Sequence, residues 1–126
     1  MQDILLFFFL AFLTNFIWEN LHARFYAHYR GGPITKLVLF RASLYDAFVI
    51  TLMAVVFMAI PALYERLWLV LIFGIVFAVI LERWALKTKR WEYKKSMPII
   101  PVLKVGLTPA IQLGLIAYLI YLFVIG

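Results

Sequence analysis

The sequence predicts an all-α fold, an integral membrane four-helix transmembrane bundle, and three observations carry that prediction. The chain is 67% hydrophobic and 14% charged, with mean hydropathy +1.01, whereas a soluble domain is roughly half apolar. Four segments reach the ~20 residues needed to cross a hydrocarbon layer about 30 Å thick. Nearly all the basic residues gather at two of the three connections. The 126 residues suit one domain, 1–126, and a soluble core of that size could not hide so many Leu, Ile, Val and Phe side chains.

The expected helices cover about 4–23, 43–62, 67–86 and 105–126. Met1-Gln2-Asp3 lacks the basic start of a secretory signal, and no small-x-small cleavage site follows, so the first apolar run reads as a retained helix. Hydrocarbon forbids unpaired backbone, and runs this continuous do not alternate as barrel strands do, so all four are helices. Pro61 falls near the end of the second. Only Leu63 to Arg66 then remain before the third, which predicts a tight antiparallel pair of neighbours. Gly31-Gly32-Pro33 breaks the first connection. Pro98 and Pro101 punctuate the third connection, and Pro109 is expected to kink the early turns of the fourth helix.

Orientation follows from charge. Arg24, Arg30, Lys36 and Arg41 surround the first connection, and Arg83, Lys87, Lys89, Arg90, Lys94, Lys95 and Lys104 surround the third. Arg66 alone lies on the other side. Both termini are therefore expected on the non-cytoplasmic side of a prokaryotic cytoplasmic membrane, with the long connections inside. Tyr26, Tyr29, Trp84, Trp91 and Tyr93 fit an aromatic belt at the cytoplasmic interface, and Tyr64 and Trp68 one at the opposite interface. The net charge of +6 thus reflects topology, and nucleic acid is not an expected partner. The chain has no cysteine, which excludes disulfides and thiolate metal sites.

The acidic residues carry the chemical signal. The first helix is free of charge only from Ile4 to Trp18, so Glu19 sits about 22 Å along it, roughly 8 Å short of the cytoplasmic boundary. The third helix repeats this pattern, with Leu67 to Leu81 uncharged before Glu82. Counting back along the second helix places Asp46 just inside the same boundary. Asn15, Glu19, His22 and Tyr26 share one helix face; Arg41 and Tyr45 lie close to Asp46, and Gln112 lies about two turns into the fourth helix. An ion near the membrane centre costs about 2.5–3.5 kcal/mol, so these groups should face inward.

Clustered carboxylates in a low dielectric cannot all ionise, so one would hold a proton and act as a general acid. Glu19, Asp46 and Glu82 are the candidate catalytic residues. His22 is the candidate relay, and Asn15, Trp18, Arg41, Tyr45 and Gln112 are candidate substrate contacts. The competing reading pairs Glu19 and Asp46 with Arg41, and Glu82 with an arginine such as Arg24, as salt bridges. His22 and His28 are six apart, not the three or four that place two ligands on one helix face, so no metal is expected. No cofactor is expected either. The Lys87 to Lys95 run suits anionic headgroups or a diphosphate, or serves only as a topology signal.

The stretch Asn15-Phe16-Ile17-Trp18-Glu19, a Trp-Glu pair in an early transmembrane helix, resembles the membrane-bound terpene cyclases of fungal meroterpenoid pathways. In size and helix content the chain also resembles one subunit of the small heterodimeric lycopene cyclases. The first resemblance implies that Glu19 protonates an isoprenoid, and it assigns no counterpart to that family's distant Asp. This chain has fewer helices than the full-length terpene cyclases, so the resemblance implies a homodimer, a small hetero-oligomer or a self-contained miniature. Trp91-Glu92-Tyr93, Met97-Pro98, Pro101 and Val105-Gly106-Leu107 resemble a stretch in small bacterial membrane proteins and imply no activity. Three functions stay open on these grounds: an acid/base cyclase or isomerase acting on a membrane lipid or isoprenoid, a small proton-coupled transporter, and a non-catalytic assembly subunit.

Overall fold

The structure, a computed structural model, describes residues 2–29 and 31–124, and of Gln2, Asp3 and Tyr29 only the backbone. Arg30, the Tyr29 side chain and the final two positions expected in the fourth helix therefore lie outside the described residues. The elements are α1 (Gln2–His22), a 3-10 turn (Ala23–Phe25), β1 (Tyr26–Tyr29), α2 (Lys36–Ala59), α3 (Pro61–Tyr64), α4 (Leu69–Lys87), β2 (Trp91–Tyr93), β3 (Ile99–Ile100), β4 (Val105–Gly106) and α5 (Leu107–Val124). The fold is mainly α-helical, and α1, α2, α4 and α5 are long and apolar enough to cross a membrane.

Local chemistry moves several boundaries from their expected places. The second long helix starts at Lys36 rather than near Ser43, because Thr35 caps it: the Thr35 Oγ1 accepts from the Val38 N–H at 3.2 Å, satisfying an otherwise orphaned donor. Arg41 is thereby helical. The same helix ends at Ala59 rather than Ala62. Pro61 disfavours the helical conformation for the residue before it, Ile60 is extended, and Pro61 instead opens the short α3. The third and fourth long helices begin two residues later than expected, at Leu69 and Leu107. Pro109 was expected to act as a kink, but it lies in the first turn of α5, where the N–H groups have no acceptor within the helix.

The packing also differs from the expected hairpin of neighbours. α1 packs along α2, α5 packs along α4, and α1 against α5 joins the two pairs, whereas α2 and α4 do not pack along their lengths. They meet near their shared turn, where the Phe57 and Phe73 rings lie 5.8 Å apart. Small residues explain why α4 prefers α5. A Cβ on Gly74 would stand 2.3 Å from the Gly114 Cα, and one on Gly114 would stand 2.4 Å from the Leu71 carbonyl oxygen. Only paired glycines permit backbones that close, a recurrent way of joining helices in apolar surroundings.

One end of the bundle is filled. Phe7, Phe57 and Tyr121 are fully or almost fully buried there, with edge-on ring contacts at 5.2 Å (Phe7–Tyr121) and 6.1 Å (Phe57–Tyr121). The Tyr121 hydroxyl donates to the Ile50 carbonyl oxygen at 3.0 Å.

At the other end, the first and third connections form small sheets where loops were expected. β1 pairs antiparallel with β2, setting Tyr26 opposite Tyr93 and Tyr29 opposite Trp91, with an irregularity between Tyr26 and His28. β3 pairs with β4. A bond from the Lys94 N–H to the Phe25 carbonyl oxygen, 2.7 Å, extends the first pairing.

Candidate functional site

Glu19 stands one turn before the end of α1, Asp46 lies on α2, Glu82 just over one turn before the end of α4, and Gln112 about one and a half turns into α5. Because successive long helices run in opposite directions, all four reach the end that carries the strands. There they border a cavity of about 470 Å³, within the size range of small-ligand sites. Its apolar wall comes from Val38 and Leu39 on α2, Phe77 and Leu81 on α4, and Leu113 on α5. The separation of α2 from α4 leaves the cavity open sideways, with Tyr45, Phe77 and Trp84 all part-exposed beside it.

Gln112 is the hub. Its Nε2 lies 2.9 Å from Asn15 Oδ1, 3.0 Å from Glu19 Oε1 and 3.0 Å from Asp46 Oδ2. Asn15 sets the orientation, since its own Nδ2 donates to the Ala11 carbonyl oxygen at 2.7 Å and leaves Oδ1 to accept. An amide nitrogen carries two hydrogens, so the three acceptors divide two hydrogens, one of which is shared between two of them. Glu19 Oε1 and Asp46 Oδ2 thus meet at one amide nitrogen. Two carboxyl groups brought so close in a low dielectric cannot both ionise, so one proton serves the pair.

His22 extends the network. Its Nε2 lies 2.8 Å from Glu19 Oε2 and its Nδ1 3.2 Å from Thr108 Oγ1. The Thr108 hydroxyl donates to the Met97 sulfur at 3.6 Å, so it accepts from the histidine's Nδ1–H. The proton between His22 and Glu19 then has two homes, giving imidazolium beside carboxylate or imidazole beside carboxylic acid. A route for proton movement follows: Asp46, Glu19, His22.

Glu82 is held differently. It accepts from the Tyr26 hydroxyl on one oxygen and from the Trp91 indole N–H, at 2.6 Å, on the other. Those donors belong to β1 and β2, so Glu82 ties the strand pair to α4. Burial, together with the nearby Glu82 charge, pushes the Tyr26 phenol well above its ordinary value near 10 and raises Tyr93 as well. Both phenols stay protonated at neutral pH. The Tyr93 hydroxyl also accepts from the Gly106 N–H at 3.0 Å, linking the two sheets.

The carboxylates do not meet the arginines that the salt-bridge reading requires. Among the described residues, the ion pairs are His22–Glu19 and His28–Glu92, at 2.8 and 3.6 Å. Arg41 and Tyr45 do line the cavity. Trp18 does not: it packs half-buried against the hydrophobic core, and its indole N–H is buried with no hydrogen-bond partner among the described residues. Asn15 lies fully buried behind Gln112. Sequence reasoning placed Tyr26 on the polar face and Trp91 in the interfacial belt, but missed both as donors to Glu82, and it missed Thr108 entirely. The alternation Trp91-Glu92-Tyr93 was the one local sign of a strand that could present aromatic donors on one face.

The fold and site define a small four-helix bundle with a laterally open, largely apolar cavity and a proton-sharing carboxyl pair in its wall. Set against known protein families, curated proteins and solved structures, the chain has no match.

Proposed function

We propose that this chain is a multi-pass membrane enzyme, an acid/base cyclase or isomerase acting on an isoprenoid or other unsaturated lipid. The observation that carries the reading is the Glu19–Asp46–Gln112 cluster with its His22 relay, set in the wall of an apolar cavity that opens sideways. In this reading both termini face away from the cytoplasm and the cavity opens toward the cytoplasmic leaflet, because eleven of the twelve Lys and Arg residues fall in sequence in or beside the first and third connections.

The chemistry is redox-neutral. The shared proton of the carboxyl pair adds to one carbon of an alkene, leaving a cation on the other carbon. In an isomerisation a C–H beside that cation loses its proton to the carboxylate; in a cyclisation an internal double bond first closes on the cation, moving the charge to a new carbon, and a C–H beside that carbon then loses its proton to the carboxylate. The proton count is restored, and the product is an isomer of the substrate. Positioned acids contribute about 10²- to 10⁴-fold.

The transporter reading needs a site reachable from both faces, and the packed Phe7, Phe57 and Tyr121 at the far end favour the enzyme. A cavity beside the acids likewise favours it over an assembly subunit.

The test is deuterium uptake. Protein in lipid nanodiscs is incubated in D₂O with long-chain polyenes and polyprenyl phosphates, and carbon-bound deuterium is read by mass spectrometry. The wild type should incorporate label, and Glu19→Gln and Asp46→Asn should each lower the rate at least hundredfold while staying folded. Absence of label with every polyene, or full activity in both variants, would sink the proposal. The side of the cavity is tested by single-cysteine labelling in this cysteine-free chain: Lys94→Cys should react from the cytoplasm, and Arg66→Cys from outside.

A further inference from the structure

The cavity has two poles of opposite chemistry, and the cationic pole plays no part in the proton route. Arg41, on α2, and Arg90, just past α4, both line it, on the two sides of the lateral opening. A guanidinium is charged at any physiological pH. Neither arginine has a carboxylate within 4 Å among the described residues, although three carboxylates border the same cavity. Arg90 is steadied instead by the Trp84 ring, with its guanidinium carbon 4.5 Å from the centroid. Those carboxylates have their own donors: Gln112 and His22 serve Glu19 and Asp46, and Tyr26 and Trp91 serve Glu82. Two charged forks thus line an apolar cavity with neither one paired to a protein carboxylate among the described residues.

We infer that Arg41 and Arg90 hold the phosphate of an amphiphile, so that the ligand of this cavity is a long-chain phosphate ester whose tail lies along Val38, Leu39, Phe77 and Leu81. Arginine forks match phosphate oxygens in geometry and in charge. Arg41 precedes Asp46 by five residues on α2, about 7.5 Å along the helix axis. A phosphate at Arg41 therefore sets the carboxyl pair against the first few carbons of the tail, and the open side between α2 and α4 admits a chain too long for the cavity. The inference rests on the enzyme reading only for what happens to those carbons; the binding stands without it.

The test measures binding to the full chain in nanodiscs of uncharged phosphatidylcholine, by quenching of tryptophan fluorescence. Four probes are compared: farnesyl phosphate, dioleoyl phosphatidic acid, farnesol and inorganic phosphate. At least one phosphate amphiphile should bind ten times more tightly than farnesol, and the tighter of the two tells whether the source is an isoprenoid or a glycerolipid. Arg41→Gln and Arg90→Gln should each weaken that probe at least tenfold and leave farnesol unchanged, with Arg41→Lys falling between.

Equal binding of farnesol, unchanged binding in both variants, failure of both amphiphiles, or inorganic phosphate binding as tightly as either would overturn the inference. Should a glutamine variant unfold, salt dependence of the wild type decides: the phosphate probe must weaken with salt while farnesol does not. Asp46→Asn separates the two proposals, since it should abolish deuterium uptake and keep phosphate binding. Arginine-dependent binding without any uptake would end the enzyme reading alone. Uptake by a neutral polyene, indifferent to both arginines, would end this one alone.

Discussion

The two ends of the bundle solve opposite problems. At the end holding Phe7, Phe57 and Tyr121, rings and paired glycines fill the space between helices, and the buried Tyr121 hydroxyl is satisfied by the Ile50 carbonyl. At the strand-bearing end, α2 and α4 separate, a cavity opens, and side chains from α1, α2 and α5 share hydrogen bonds that no single helix could satisfy. Close packing holds the first end together, and the second spends part of that stability on an arrangement suited to a ligand. The contrast teaches that variants at the filled end should change stability without touching the proton network, and variants at the open end the reverse.

Gly74→Leu should have the largest effect. Its side chain meets the Gly114 backbone, which cannot yield without parting α4 from α5, so folded protein should be lost from a detergent size-exclusion profile. Phe57→Ala should come next, at about 3–5 kcal/mol for a buried aromatic removed, read as a lower midpoint of thermal unfolding. Its binding of farnesyl phosphate should stay at the wild-type level; a matching loss of binding would show that the two ends are coupled.

At the open end, Glu82→Leu removes the bonds that the Tyr26 hydroxyl and the Trp91 N–H donate to it and should cost about 1–3 kcal/mol. Limited proteolysis should show the pairing of β1 with β2 opening first, because Glu82 is what joins it to α4. If the strands stay protected, the anchor lies elsewhere.

A smaller effect appears with pH. Tyr26 and Tyr93 ionise above their ordinary range when folded, so the folded state holds protons that the unfolded chain releases above about pH 10. The stability they contribute is complete below that pH and is lost as the pH rises toward their folded values. The unfolding midpoint should stay level up to about pH 10 and then fall, and Tyr26→Phe should flatten the fall. The mildest change is Trp18→Phe: it removes a buried donor that has no partner among the described residues, so stability should hold or rise by up to about 1 kcal/mol.

The broad plan was legible in the residues themselves. Helix is the one way for a continuous apolar run to satisfy its own backbone in an apolar setting, so four runs implied four long helices without any knowledge of their packing. Residue counting put Glu19, Asp46 and Glu82 at one end, because helix rise is constant. Their partners were not legible in this way. A carboxylate that needs a donor accepts an arginine or an amide equally well, and whether Arg41 or Gln112 comes within reach depends on how helices distant in sequence rotate against one another.

Tertiary structure decided the rest. The Gly74–Gly114 approach commits α4 to α5 and frees it from α2, which is why the expected hairpin neighbours border a cavity instead. The strand pairs formed because Tyr26–Tyr29 and Trp91–Tyr93 lie beside each other only after α1 and α4 are placed; alone, two segments so short cannot sustain a sheet. The divided duties of the acids have the same origin. Glu82 faces two aromatic donors that hold both its oxygens, while Glu19 and Asp46 face each other and must share a proton. Composition and periodicity report what a residue needs, and packing between distant segments determines which neighbour supplies it.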